Sequence, residues 1–210
     1  PPLKLLDRVQ QPVNFGNAKV SGEGRVEVLL KSNLTSDEIT YEVKGTAKKF
    51  SSHVINPDFI ISNGTLDFFA NKKGLEIKGN AKVKNLPVQA EFSGSIVEDD
   101  AKFLEIDFSL SEKALEMLPD GFSDIKISGS APAKLSLKFL ESKKVKFELT
   151  SSLKGVELSY PPIGWVKEMK DEAELRVSGS LGDEVVIDDI FLSSPDLVLA
   201  GSALRKKDEN

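Results

Sequence analysis

The chain has 210 residues, 40% of them hydrophobic and 29% charged, with a net charge of -5, one histidine and no cysteine. This is ordinary globular composition in a length that suits one sizeable domain or two small ones. It excludes disulfides, thiolate nucleophiles and Cys-ligated metals, and an acidic chain with scattered lysines and arginines argues against nucleic acid and against charge-driven binding to anionic membranes.

In chain order, the opening PPLKLLDRVQQP has no basic, apolar leader and reads as the interior of a longer protein. No run reaches the roughly 18 apolar residues that a membrane span needs. From Val20 a five-residue phrase recurs: VSGEG there, VKGTA at Val43, IKGNA at Ile77, FSGSI at Phe92, ISGSA at Ile127, VSGSL at Val177 and LAGSA at Leu199. Its glycines fall on the apolar parity of strand-like runs at irregular spacing, so no solenoid period is present. Glycine at such positions marks a bulge, a bend or a close approach, and its repetition predicts a curved sheet.

The runs themselves alternate. Ile39, Tyr41, Val43 and Ala47 oppose Thr40, Glu42, Lys44 and Lys48. Leu75, Ile77, Ala81 and Val83 oppose Glu76, Lys78, Asn80 and Lys82, and Val88, Ala90, Phe92 and Ile96 oppose Gln89, Glu91, Ser93 and Ser95. Leu104, Ile106, Phe108 and Leu110 form the next apolar face. The longest run puts Ile125, Ile127, Ala131, Ala133, Leu135, Leu137 and Phe139 on one side of a single strand. Val145, Phe147 and Leu149, then Leu175 and Val177, continue the pattern. Parallel sheets covered on both faces would give unbroken apolar runs, so the pattern predicts an antiparallel sheet with one face in water.

Turn signals separate the runs: NPD at Asn56, SNG at Ser62, NKKG at Asn71, EDD at Glu98, LGD at Leu181 and SSPD at Ser193. Two segments depart from alternation and predict short helices near 111–119, where Ser111 is a plausible N-cap, and near 163–171, after the Pro161–Pro162 pair.

Catalytic chemistry is not read from this sequence. His53 is a lone histidine beside a strand end, and no Ser-His-Asp set assembles. The acid pairs Asp99–Asp100, Asp171–Glu172, Asp183–Glu184 and Asp188–Asp189 lie in turn-like contexts without calcium-loop spacing, which assigns them to solvated loops. SGEGRV fits no phosphate loop, and Asn33 and Asn63 head glycosylation sequons of a kind that arise often by chance. No cofactor, metal or enzymatic activity is expected.

A one-sided sheet must hide its apolar face, as a sandwich, a barrel or a trough covered by something else. On sequence physics alone the closed core is the safer reading. The stretches ISGSAPAKLSLKF, VKFELTSSLKGVELSYPPIGWVKE and DEAELRVSGSLGDEVVIDDIFLSSPDLVLAGSALRKK resemble the AsmA-like family, specifically its YhdP-like branch, related to TamB. The matching positions are Leu153, Gly155, Val156, Leu158, Pro161, Pro162, Gly164, Trp165 and Lys167, and KEMKDEA departs from the turn that the family has after the lysine. The first half resembles the family more loosely, through YEVKGTAKKFS, ISNGTLDF and GLEIKGNAKVKNLPVQAEFSG.

The resemblance implies a periplasmic segment of an inner-membrane-anchored protein that bridges inner and outer membranes of a Gram-negative envelope and carries phospholipid acyl chains in a groove. The expected fold is mainly β. It would be a single elongated domain over 1–210, loosely 1–122 and 123–210, whose curved antiparallel sheet forms an open, taco-like or half-barrel groove. The expected lining is Leu66, Phe68, Leu75, Ile77, Val88, Phe92, Ile106, Phe108, Ile127, Leu135, Leu137, Phe139, Phe147, Leu149, Leu175 and Val177. Exposed edge strands predict end-to-end association. The rival expectation is a structural or assembly module with a closed sandwich core.

Overall fold

Alternation of apolar and polar residues has a stable solution in water, a sheet with one dry and one wet side, and most of the chain adopts it. The computed structural model describes residues 20–32, 39–52, 60–95, 102–116, 124–140, 144–182 and 184–205. His53, the Asn33 sequon, Asp99–Asp100, Asp183 and the NPD and EDD turns lie outside the described residues.

The strands are β1 (Val20–Ser32), β2 (Ile39–Ser52), β3 (Ile61–Asn71), β4 (Gly74–Val83), β5 (Leu86–Ser95), β6 (Lys102–Leu110), β7 (Lys126–Gly129), β8 (Ala131–Phe139), β9 (Val145–Ser151), β10 (Val156–Tyr160), β11 (Trp165–Lys167), β12 (Glu174–Leu181), β13 (Val185–Ser193) and β14 (Val198–Arg205). Eleven form an antiparallel sheet in the order β1-β2-β3-β4-β5-β6-β8-β9-β12-β13-β14, and β11-β10-β7 form a second sheet. Among the described residues the outermost strands of the large sheet are β1 and β14, which are not paired with each other. The fold is mainly β, and among the described residues no helix is long and apolar enough to cross a membrane.

The chain divides into two compact units, Pro1–Asn85 with Ala90–Lys102, and Leu86–Gln89 with Phe103–Asn210. The first is built from the large sheet. Cross-strand partners give apolar rows Val28–Val43–Ala70–Leu75 and Val26–Gly45–Phe68–Ile77 over β1 to β4. The opposite side is charged, with Lys78 on Glu91 at 2.6 Å and Lys49 on Glu23 at 3.1 Å. These pairs are exposed and contribute little to stability.

The second unit has two layers. In its part of the large sheet the rows are Leu135–Leu149–Val177–Ile190–Gly201 and Leu137–Phe147–Gly179–Ile187–Ala203. The three-stranded sheet supplies Ile127, Val156 and Leu158 to a cluster with Leu110, Ala114, Ala131, Ala133 and Leu153. Val156 and Leu153 are fully buried, and burying one such side chain contributes about 1.5–3 kcal/mol.

The long strand expected from Ile125 to Phe139 is two strands. Gly129 takes φ +86°, and a Cβ there would strike the Gly155 carbonyl. Only glycine turns the chain there without penalty, so β7 leaves for the small sheet and β8 stays in the large one. The Ser130 amide seals the crossing by donating to the Gly155 carbonyl at 3.2 Å.

The first expected helix is present as the single turn α1 (Glu112–Leu115), with Ser111 at its N-cap but without a side-chain capping bond; residues 117–119 lie outside the described set. The second is absent. Pro161–Ile163 make a 3-10 turn, and Trp165–Lys167 then run as β11, paired Tyr160↔Trp165 and Leu158↔Lys167 with β10. The prolines stop a strand and cannot extend a hydrogen-bonded helix, while alternation at Trp165 and Lys167 restores extended chain. Only a short turn follows, closed by the Asp171 amide on the Glu168 carbonyl at 3.1 Å.

Two turn readings also give way to bulges. Ser62–Gly64 lie inside β3, where the register shifts between Ser62 and Thr65 and Asn63 takes φ +53°. Asp188–Asp189 lie inside β13, where the register against β14 shifts between Ile187 and Ile190. NKKG and SSPD are turns: Asn71 Oδ1 accepts from the Gly74 and Lys73 amides, and the Ser194 amide donates to the Leu197 carbonyl at 2.8 Å.

Candidate functional site

The feature that sequence alternation builds most insistently is the apolar face. In the first unit Leu66, Phe68, Leu75, Ile77 and Phe92 are all half-buried. Among the described residues this unit holds no fully buried apolar side chain, because no second layer of its own covers the face. Towards the β1 edge the cover thins further: Val26 is 56% and Val28 53% exposed. A sheet of this width with one apolar side left half in water is a surface that favours a partner or ligand.

Glycine shapes that surface. The Phe68 ring lies across Gly45, where a Cβ would stand 2.7 Å from ring carbon Cε1 and 2.6 Å from the Arg25 carbonyl oxygen. Gly45 therefore leaves room for an aromatic ring over the neighbouring strand. Beside Gly79 and Gly179 the registers also shift, between Ser62 and Thr65 in β3 and between Ser178 and Gly179 in β12. Bulge and close approach are thus the local uses of the phrase.

In the second unit the expected lining divides. Ile106, Leu135, Leu137, Phe139, Phe147 and Val177 are half-buried along the large sheet. Val88, Phe108, Leu149 and Leu175 pack against the buried cluster, and Ile127 sits within it, on the small sheet rather than the large one. One stretch of this face is therefore roofed by protein. Residues on the same face that alternation missed are Ile187, Ile190 and Leu192, which continue the rows of β12. The bulge at Asp188 reverses parity midway along β13, so an odd-even reading loses them.

The roof is held by Lys167, a position named above without a role. Lys167 is 2% exposed, and its ammonium donates to the carbonyls of Leu153 at 2.8 Å, Val156 at 2.9 Å and Glu168 at 3.1 Å. All three N–H donors are used. Burial holds its pKa below the ordinary lysine value, and the charge of Asp171 opposes that shift. Ser151 assists: its hydroxyl donates to the Pro132 carbonyl at 2.8 Å and accepts from the Leu153 amide at 3.1 Å. Trp165 packs against the cluster, with its buried indole N–H unpartnered. Leu153, Val156, Leu158, Trp165 and Lys167 thus converge on one structural device, the small sheet and its lysine clasp.

A cleft of about 480 Å3 in the same unit is lined by Asp107, Phe108, Pro132, Ala133, Lys134, Thr150, Ser151, Ser152, Glu174 and Leu175. Its Lys134 bonds Glu105 at 2.7 Å. Among the described residues no cluster of three or more His, Asp or Glu side chains could hold a metal ion.

No family model, no curated protein and no solved structure matches the chain.

Proposed function

We propose that this chain is a groove-forming segment of a bridge-like protein that carries phospholipid across the periplasm between inner and outer membranes, its curved sheet presenting a taco-like or half-barrel apolar trough to acyl chains. The observation that carries the reading is the half-exposed aliphatic face of the first unit, over which the described residues of that unit place no second layer. Strands of 13 and 14 residues give that face a length of roughly 43–46 Å. Each methylene laid on it contributes about 0.8 kcal/mol. Hydrogen-bonding groups are sparse on this parity, so an acyl chain has no fixed register and can slide. The resemblance of Ile125 to Lys207 to the AsmA-like family supports the same reading and supplies the envelope setting.

The test is native mass spectrometry of the chain purified from bacteria, with extraction and identification of bound lipid. Retained phospholipid supports the proposal, and a chain that never carries lipid overturns it. A second reading, a non-enzymatic structural or assembly module of the envelope, is favoured by one observation: the roofed cluster around Leu153 and Val156 in the second unit. Under that reading apolar cover is provided by protein everywhere, and charged substitutions on the face unfold the chain instead of releasing lipid.

A further inference from the structure

The small sheet of the second unit is joined to the large one along a single margin. The chain passes between them from Gly129 to Ala131, from Ser151 to Val156 and from Lys167 to Glu174. Ala133, Ser151 and Leu175 are cross-strand neighbours, so these passages lie side by side at one end of β8, β9 and β12. Two of the passages carry positive φ: Gly129 at +86° in the first, Leu153 at +50° and Gly155 at +91° in the second. A few element-terminal residues lined up in this way make a hinge. The closed position also carries three costs that one movement would relieve. Leu153 is a fully buried leucine held in left-handed backbone, a conformation that persists only where its surroundings impose it and that gathers at switch regions. The Lys167 ammonium is shut away from water. The Trp165 indole N–H is buried without a partner, an exception that calls for a reason. The bonds of Lys167 all end on carbonyls between Leu153 and Glu168, so they tie β10 to β11 and leave the sheet free of its floor.

We propose that the small sheet is a hinged lid, which lifts as one body about this margin and whose Ile127, Val156 and Leu158 fill, while it is closed, the floor that an acyl chain takes when it is raised. Lifting returns the ammonium and the indole N–H to water and frees Leu153 from the cluster that fixes it. The floor beneath is apolar, with Leu110 of β6 and Ala131 and Ala133 of β8 in the same buried cluster as the three lid residues. It is also continuous with the half-buried part of the face. Ala133 shares its side of β8 with Leu135, and Leu149, the partner of Leu135, packs against the cluster. The Ser151 hydroxyl on that floor is engaged by the Pro132 carbonyl and the Leu153 amide, so it offers an incoming chain no fixed register. The choice of an acyl chain as the occupant rests on the groove reading above, whereas the lid and its hinge do not.

The test uses thiol labelling, since the chain has no cysteine and an introduced thiol is unique. Ile127→Cys, Val156→Cys and Leu158→Cys are each treated with an aromatic disulfide reagent in the absence of lipid. They should label at one common rate that low urea leaves nearly unchanged, while the amides of β9 and β12 stay protected from hydrogen exchange, which separates lifting from global unfolding. Lysophosphatidylcholine, a single-chain probe, should raise that rate about tenfold at roughly ten times its dissociation constant, because it adds only to the open form. The unmodified chain supplies a second measurement should a variant fail to fold. The same lipid brominated along its acyl chain should quench Trp165, the single tryptophan, which packs against the cluster. Labelling that requires global unfolding, three unrelated rates, a rate that the lipid leaves unchanged or slows, or an unquenched Trp165 each overturns the proposal. Lipid retention by the intact chain is read separately by native mass spectrometry. Retention without lifting leaves the groove reading standing, and lifting without retention removes that reading alone.

Discussion

Replacing Phe68 by Asp asks directly whether the face of the first unit is a surface or a core. Burying a whole Phe side chain contributes about 1.5–3 kcal/mol, and Phe68 is only half-buried, so about 1–1.5 kcal/mol is at stake. Loss of the ring from Gly45 removes a cross-strand contact of about 0.2–1 kcal/mol. The new carboxylate reaches water, so no unpaired buried charge is created. The expected cost is about 1–2.5 kcal/mol, which for a chain of this size lowers Tm by roughly 2–10 °C. Val156→Asp is the internal control. Val156 is fully buried, and a carboxylate there gives up the cluster's packing and competes for the Lys167 ammonium that serves the Val156 carbonyl, so the cost should exceed about 2 kcal/mol and loosen the small sheet. Urea unfolding followed by circular dichroism measures both, and lipid retention by native mass spectrometry is read on the folded Phe68→Asp protein, where it should fall sharply. If Phe68→Asp unfolds the chain, the face is packed and the reasoning fails.

Three positions, Gly129, Lys167 and Trp165, test the clasp and the crossing. Gly129→Ala forces an alanine to φ +86° against the Gly155 carbonyl and should cost about 1–3 kcal/mol in chemical denaturation. Lys167→Met strands three carbonyls and should cost about 2–4 kcal/mol. The same variant carries a pH signature. Burial lowers the folded-state pKa of Lys167, so between that value and the unfolded 10.5 the unfolded chain holds the extra proton and stability rises with pH. The advantage of the native chain over Lys167→Met should therefore grow as pH climbs through that window, and an advantage that shrinks refutes the assignment. Trp165 is the chain's single tryptophan, so its blue-shifted emission should report the small sheet alone. Trp165→Phe removes an unpartnered buried N–H and should change stability by less than about 1 kcal/mol, measured by urea midpoint.

Much of the strand content was legible because side-chain alternation is a property of neighbouring residues. Leu66, Phe68, Leu75 and Ile77 land on one face as their parity dictates, and β12 carries Leu175 and Val177 as expected. Parity fails where a bulge intervenes. Ile187 and Ile190 share a face across Asp188–Asp189, an acid pair that reads as a loop until its two neighbours are in place. The small sheet was illegible for a different reason. Ile127 alternates with its neighbours as well as Leu135 does, and nothing local separates Gly129 from the other glycines of the phrase. The burial of Lys167 was likewise illegible, because the carbonyls that accept from it come from residues up to 14 positions away.

The sequence by itself determined that each strand would have a dry side and a wet side, since that choice is made residue by residue by the cost of solvating apolar groups. Tertiary structure alone decided which dry residues are roofed and which are left half in water. That outcome depends on contacts between distant segments, the Gly155 carbonyl at the Gly129 crossing and the Lys167 ammonium at its three carbonyls, and no local pattern encodes them.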